Sequence, residues 1–556
     1  MKLFFRPSGV VSQPSAAPIE HVSRNLRIVS LCTVVSRVLG MVRDAAMAAT
    51  FGAGPVLDAF ALAFRVPNVA RSLFGEGAVA TAFLPAVVAE LQAGGTKAAS
   101  RLTSALLVTM VGAMSGLVVI AELALWWWGT TYALGPEAEL LRRLLAILAP
   151  YLILICLAAQ VSTLLHASGE FLWPALIPIV LNLTWLVSLW CVVPWWTCPT
   201  SQIEVMSACV VVAGVMQLVF PLPSLWRKGY RPAHDWRQSL PEIGRVSRQV
   251  LPVLLGLSIT LVNASFDSLV AWGLSKPVAG PDAIAWLGGV PYPLNSGTSA
   301  ALYFAQRLYQ FPLGVFGVAL GTVLYPLLSA HAQRGDWPQM RSDCALGVRL
   351  VAAIGIPASA GLMLLAEPLA MVCFRYGKFD DAAARQTAQM IAAYGAGVWA
   401  YCGLLIVQRG FYALGDRVTP LRVGFCSFVL NVVLNVTSIW FLGGVGLATA
   451  TATSAMFQCV VTGWLLERRI GGIDWSSCGT AVLKTLLATA VMVIAGWIAL
   501  TALPADSSLP GRVVRVVMPL GVALIVFIAV AAAIGLREPW ELIRLSRRRK
   551  RMTDIV

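Results

Sequence analysis

Long apolar runs separated by short polar breaks dominate the chain. A helix needs about 20 apolar residues to cross the hydrocarbon core of a bilayer. On that ruler fourteen runs qualify: 28–50, 56–91, 102–128, 138–166, 171–194, 203–226, 247–273, 298–330, 343–373, 384–413, 418–441, 444–466, 479–503 and 513–536. The pattern predicts an all-α polytopic membrane protein. The second and eighth runs are overlong and contain Pro67 and Pro312. A bent or broken helix is expected at each, because proline removes a helical hydrogen bond. An even number of crossings puts both termini on one side.

The polar positions inside these runs are the unusual ones. Between Val35 and Pro85 the chain is largely apolar, yet it carries Arg37, Arg43, Asp44, Asp58, Arg65, Arg71 and Glu76. A charge at mid-membrane costs roughly 2.5–3.5 kcal/mol on insertion scales, and such residues face a bundle interior or a water-filled cavity. Seven ionisable groups, four of them arginine, predict a polar chamber biased towards an anion. Arginine suits phosphate in particular, since its planar fork bonds two oxygens at once.

Composition agrees with a membrane protein: 556 residues, 58% hydrophobic and 12% charged. Clusters such as Trp126-Trp127-Trp128 and Trp195-Trp196 have the character of interfacial anchors. The net charge of +15 first suggests nucleic acid. Its distribution excludes that reading, because the basic residues recur in short breaks between spans, which is the positive-inside pattern. The break with Arg227, Lys228, Arg231, Arg237, Arg245 and Arg248 is the clearest case, and it places both termini in the cytosol. Residues 1–27 read as a cytosolic tail, without the apolar core of a signal peptide. Residues 537–556 form a basic tail that suits anionic headgroups. The Pro- and Gly-rich stretch from Ser275 to Ser296 is expected outside and irregular. The 11 Cys are scattered in apolar runs, as small buried hydrophobes.

An internal repeat organises the spans. Arg65-x8-Phe74-Gly75 followed by Thr81-x3-Pro85 is echoed by Arg307-x8-Phe316-Gly317 followed by Thr322-x3-Pro326. Ala167-x-Gly169-Glu170-x3-Pro174 is echoed by Ala413-x-Gly415-Asp416-x3-Pro420, so the separation is about 244 residues. That separation covers six crossings, which gives the two halves the same orientation. Two six-helix lobes with a site between them near the midplane is the parallel-repeat plan of transporters. The expected organisation is therefore a tail (1–27), an N-lobe (28–226), a basic cytosolic loop (227–246), a C-lobe (247–466), an appended helix pair (479–536) and a second tail (537–556). The repeat makes Arg65 and Arg307 pseudo-equivalent.

A second constellation lies in the C-lobe. Asp267 sits in the seventh span with no Lys or Arg near it in that span. Asn431 and Asn435 are four apart in the eleventh span and share a helix face. Thr453 in the twelfth span adds a hydroxyl. One carboxylate with amide and hydroxyl oxygens is hard-ligand chemistry for a small cation such as Na⁺. Ordinary interhelical hydrogen bonding is the competing explanation. An enzyme acting on polyprenyl phosphates would need clustered carboxylates for a metal, or a nucleophile beside a base, and neither spacing occurs.

These residues resemble the MurJ/MviN family of lipid II flippases, within the multidrug/oligosaccharidyl-lipid/polysaccharide exporter superfamily. The resemblance rests on Ser36-Arg37-Val-Leu-Gly40-x-x-Arg43-Asp44, Phe51-Gly-Ala-Gly54-x3-Asp58-Ala-Phe60 and Pro67-Asn68-x-x-Arg71-x-x-Phe74-x-Glu76-Gly77. In the second lobe it rests on Arg307-x4-Phe311-Pro312-x-Gly314-x2-Gly317 and Tyr376-Gly377-x-Phe379. It implies fourteen helices around a V-shaped cavity, with the last two forming a groove for a polyprenyl tail. It implies a monomeric, cofactor-free transporter in the bacterial inner membrane, not an enzyme. The implied substrate is lipid II, the undecaprenyl-pyrophosphate-linked disaccharide-pentapeptide, moved to the periplasmic leaflet by alternating access. Na⁺ or H⁺ as a coupling ion is an expectation from the Asp267 constellation alone. By motif position the substrate-binding residues are Arg37, Arg43, Asp58, Asn68, Arg71, Glu76 and Arg307; the repeat adds Arg65. This chain departs from the family at Gln306, where an acid is common, and at Ala300, where a serine is common and Ser299 is adjacent. The alternatives are a flippase for another polyprenyl-pyrophosphate-linked glycan and a multidrug antiporter of the same superfamily. The latter would need net acid or aromatics in its cavity for cationic drugs.

The charge pattern predicts that, in intact cells, an impermeant thiol reagent misses a cysteine placed at position 235 and labels one placed at position 285. The reverse labelling would overturn the orientation.

Overall fold

The backbone of a membrane-spanning chain must satisfy its own hydrogen bonds, because lipid offers no partners. The computed structural model, which describes residues 17–75, 78–278, 280–284, 287–504, 506, 508–538 and 540, is accordingly helical almost throughout. A first bundle holds α1 (Ala17–Phe51), α2 (Pro55–Ala70), α3 (Ala78–Thr131), α4 (Pro136–Ala167), α5 (Leu172–Val187) and α6 (Pro199–Val219). The short α7 (Leu222–Arg227) leads through the basic break to α8 (Leu240–Gly273). A second bundle holds α9 (Thr298–Pro312), α10 (Val318–Arg334), α11 (Trp337–Leu364), α12 (Ala366–Phe374), α13 (Asp381–Ala396), α14 (Val398–Ala413), α15 (Val418–Leu442) and α16 (Gly444–Ile470). Finally, α17 (Trp475–Thr501) and α18 (Leu509–Ala533) pair with each other and pack on α11 and α12. Among the described residues, nine single helices are long and apolar enough to cross a membrane, and the bent pair α13–α14 makes ten.

Among the described residues helix underlies the expected runs, but ten rather than fourteen have the length and apolarity of a full crossing. The overlong second run comprises α2, a turn over Arg71–Gly75 and the start of α3; beyond the run α3 is broken at Gly95, at a φ of 68°. Part of the expected N-terminal tail is also helical, since α1 begins at Ala17. The stretch from Ser275 to Ser296, expected irregular, contains a small hairpin. Its strands β1 (Ala283–Ile284) and β2 (Val290–Pro291) pair antiparallel, and Lys276 bonds Asp282 at 2.6 Å. The basic C-terminal tail from 541 onward lies outside the described residues.

The repeat is visible in backbone detail. Downstream of Pro67 the chain makes a π-helical turn over Arg71–Gly75, and directly after Pro312 it makes another over Leu313–Gly317. The proline nitrogen cannot donate, and the wider turn accommodates the broken ladder. Both α4 and α14 end on the same glycine turn, with Gly169 at φ 72° and Gly415 at φ 75°. α8 departs from a simple two-lobe division. It packs against α3 and α2 of the first bundle as well as α15 and α9 of the second, and so lies along the seam.

The bundles meet at the end of the molecule that carries the hairpin. There Lys378 N donates to Ala49 O at 2.8 Å. Gly377, at φ 56°, packs so closely that a Cβ would lie 2.3 Å from Ala49 O. Gly297, at φ 93°, leaves 2.8 Å between a notional Cβ and Ala53 O. Backbone thus lies directly on backbone across the seam, and only glycine permits it. Gly377→Ala is expected to prise this end apart, seen as faster hydrogen exchange across residues 47–53 in otherwise folded, membrane-inserted protein. Unchanged exchange would show that the contact does not hold the seam.

Candidate functional site

Between the bundles lies a cavity of about 690 Å³ lined by residues of α1, α2 and the turn after it, α4, α5, α6, α9 and α12. Arg37, Arg43, Asn68, Arg71 and Arg307 all reach it, with Asp44 as the one carboxylate in its wall among the described residues. Among those residues, four arginines against one aspartate give a formal excess of three positive charges (4 − 1). At about 1.5 Å rise per residue, these side chains start from about 10 to 25 Å below the hairpin end, well inside a hydrocarbon core.

Helix geometry sets the cluster. Arg43 and Asp44 are adjacent on α1 and both buried. Arg43 Nη2 bonds Asp44 Oδ1 at 2.8 Å and its Nη1 donates to Asn182 Oδ1 on α5 at 3.1 Å. Its guanidinium also lies 4.6 Å from the Trp185 ring centre. Asn182 in turn donates to Ser36 O at 3.0 Å, which fixes α5 to α1. From the other bundle, Arg307 Nε approaches Asp44 Oδ2 to 3.5 Å and its Nη2 donates to Tyr303 Oη at 2.9 Å. One carboxylate therefore sits between two arginines from opposite bundles. Arg37 extends into the cavity and lies over Gly314 of the second π-helical turn, where a Cβ would be 2.8 Å from its Nη1.

The structure redistributes the expected set. Arg37, Arg43, Asn68, Arg71 and Arg307 come together. Asp58 does not join them. It lies at the hairpin end of α2 and caps α9 from across the seam, accepting from Gly297 N at 2.6 Å and Ala300 N at 2.7 Å. A carboxylate is well placed there, because the first N–H groups of a helix lack partners and carry partial positive charge. Arg65 is also absent from the cavity wall; it turns into the seam, bonding Ala264 O of α8 and Gln306 Oε1 of α9. Its pseudo-equivalence with Arg307 is thus a matter of chain position, not of surroundings. Glu76 lies outside the described residues. Asn182 was missed by sequence reasoning, although an Asn within an apolar span was a signal that could have found it.

The C-lobe constellation assembles with one correction. Asp267 is fully buried, accepting from Asn435 Nδ2 at 2.7 Å and Thr451 Oγ1 at 2.7 Å. Asn435 Nδ2 also reaches Asn431 Oδ1 at 2.9 Å. Thr453 is exposed on the far face of α16, since two residues turn a helix by about 200°; Thr451 takes its place. Asn263 of α8 stands 2.7 Å from the Asn431 amide nitrogen when that amide is turned towards it. Asn435 Oδ1 is buried without a partner. Turning that amide would present a third hard oxygen beside Asp267 and Thr451, so the residues fit a small cation.

Comparison with known proteins bears on this geometry. The family profile described as "Lipid II flippase MurJ" matches residues 47–509. The "Probable lipid II flippase MurJ" of Vibrio cholerae is 35% identical over 456 residues, covering 78% of this chain and 80% of that protein. The "Lipid II flippase MurJ" of Burkholderia cenocepacia is 28% identical, covering 86% and 89%. A solved structure titled "Lipid II flippase MurJ, inward closed conformation" shares the fold with a TM-score of 0.72 at 19% identity, over 91% of this chain and 98% of that one. An inward-facing MATE family transporter of the MOP superfamily shares it with a TM-score of 0.59 at 12% identity, over 78% and 94%. The profile match across most of the chain and the Vibrio relative together establish that this polytopic membrane protein belongs to the MurJ family of lipid II flippases.

Proposed function

We propose that this protein carries lipid II from the cytosolic to the periplasmic leaflet of the bacterial inner membrane by alternating access, without altering it chemically. The observation that carries the reading is the meeting of Arg37, Arg43, Arg71 and Arg307, from both bundles, in one cavity with a single carboxylate among the described residues. A pyrophosphate cannot cross hydrocarbon unaided, on the Born argument for ions. A cationic, water-accessible chamber replaces its hydration shell, and arginine forks match its oxygens. The lipid tail never needs to leave the bilayer; the α17–α18 pair beside α11 and α12 offers it a path. The lobes are residues 28–226 and 247–466, the basic linker 227–246 and both termini are cytosolic, and the protein works as a monomer.

Another polyprenyl-pyrophosphate-linked glycan would meet the same phosphate chemistry, and only the sugar and peptide contacts would separate the two. The excess of arginine in the cavity argues against export of cationic drugs. Asp44 has a distinct part in the cycle: it links Arg43 to Arg307, so an anion drawing on these arginines competes with the contact that joins the bundles. Substrate binding and bundle movement are thereby connected.

The coupling ion is proposed to bind at Asp267, Asn431, Asn435 and Thr451. An inward membrane potential contributes about 2.3 kcal/mol per charge per 100 mV, ample to reset a transporter.

Replacing Arg37, Arg43, Arg71 or Arg307 singly with Ala should abolish complementation of a flippase-depleted strain while the protein stays in the membrane. Loss of one charged hydrogen bond is worth about tenfold or more in affinity. Lysine at these positions should restore growth only in part, because the bidentate fork is lost. Normal growth with all four Ala variants would refute the assignment.

In liposomes with lipid II, varying Na⁺ and pH separately, Asp267→Asn should remove whichever ion dependence the native protein displays. An unchanged rate and unchanged ion response would leave this network a purely structural one.

A further inference from the structure

We propose that Arg65 is an inner latch of the periplasmic closure, a positioning residue that holds the bundles together on the hairpin side and does not bind the substrate. The inference rests on the flippase reading and concerns how its cycle is gated.

Two tiers of contact close the hairpin side. The outer tier is Asp58 on the α9 N-terminus and Lys378 N on Ala49 O. The inner tier lies deeper. Arg65 is eleven residues past Gly54 and Gln306 is eight past Thr298, placing them about 16 and 12 Å along their helices from the hairpin end, and Arg65 about 10 Å past Asp58 of the outer tier. There the guanidinium of α2 bonds two acceptors, the Ala264 carbonyl of the seam helix α8 and Gln306 Oε1 of α9 in the second bundle. Gln306 is itself held, its Nε2 donating to Tyr394 Oη at 3.2 Å. Tyr394 is buried and stacks on Tyr309 with ring centres 4.8 Å apart, and Tyr309 stacks on Tyr401 at 5.1 Å. The latch therefore ends on a stiff aromatic wall of the second bundle.

The charge environment suits a releasable contact. The charged and titratable groups facing Arg65 are Tyr394, Tyr309, Asp267 and Arg307, and no carboxylate among the described residues forms an ion pair with it. Its hold is made of hydrogen bonds to neutral acceptors, which water can replace once the seam opens. A direct ion pair at this depth would be much harder to break, since separating it leaves an uncompensated buried charge. Opening towards the hairpin side draws α2 away from α9 and breaks the Gln306 contact, while α8, which packs on both bundles, keeps the Ala264 carbonyl at the seam. Ala264 is also three residues before Asp267 on α8, so the helix that carries the candidate cation site is the helix that Arg65 grips. The departure at Gln306 now has a use: an amide accepts from Arg65 and donates to Tyr394, whereas an ionised acid there would only accept.

The test is hydrogen exchange on the full-length protein in lipid nanodiscs, followed in the peptide 295–302, whose Gly297 and Ala300 amides are protected by Asp58. Arg65→Gln and Gln306→Leu, which remove the contact from opposite sides, should each raise exchange by about tenfold, the value of one charged hydrogen bond. The double variant should add little to either single change, as expected for two partners of one interaction. Arg65→Lys should fall between the native protein and Arg65→Gln. Lipid II affinity should stay within about twofold while translocation slows, in contrast to the cavity arginines. Unchanged exchange in both single variants, or a parallel loss of lipid II affinity in Arg65→Gln, would overturn the latch. Native protein that fails to bind lipid II, yet shows the exchange shift on substitution, would sink the substrate assignment and leave the latch standing.

Discussion

Everything in the centre of this molecule depends on keeping arginines charged where lipid would surround them. Asp44 is the hinge of that arrangement. It is buried beside Arg43, its neighbour in sequence, and receives Arg307 from the other bundle. A lone buried charge is far more costly than a paired and hydrogen-bonded one. Among the described residues this one carboxylate meets part of that need and leaves positive field for a ligand. More acid would neutralise the chamber; less would leave the arginines without support when the chamber holds only water.

The second constraint is backbone satisfaction. The same rule that makes nearly all of the chain helical also accounts for its exceptions. Pro67 and Pro312 cannot complete the helical ladder, and π-helical turns follow them at corresponding places in the two halves. The second of these turns presents Gly314 to Arg37, so a defect in the helix makes room for a functional side chain.

Much of this was legible in the sequence. Apolar run lengths gave the helices, because membrane insertion imposes a minimum length that soluble folds do not. The repeat was readable from spaced Arg, Phe, Gly and Pro, and those residues occupy matching turns such as the ones at Gly169 and Gly415. The arginines point to a polar chamber from sequence alone, because each intramembrane charge requires a polar neighbour. The departures have a common origin. Asp58 and Arg65 group with the chamber in the sequence because both are charges in the same apolar segment. Sequence spacing gives neither the depth of a side chain nor which neighbour it faces across a seam. Thr453 and Thr451 illustrate the same limit within one helix: both are hydroxyls in one span, but they face opposite directions, and only the packing of α8 and α15 on α16 decides which one meets Asp267.

The outer closure is written in main-chain atoms. Asp58 reads the amides of Gly297 and Ala300, and Ala49 offers a carbonyl to the amide of Lys378. The contact at residue 378 uses only its main chain, and the Lys378 side chain is exposed. A change of side-chain chemistry there leaves the seal in place, whereas at the fully buried Ala300 it would not. The demand on this closure falls on shape: on the glycines that let two backbones touch, and on one carboxylate of fixed length.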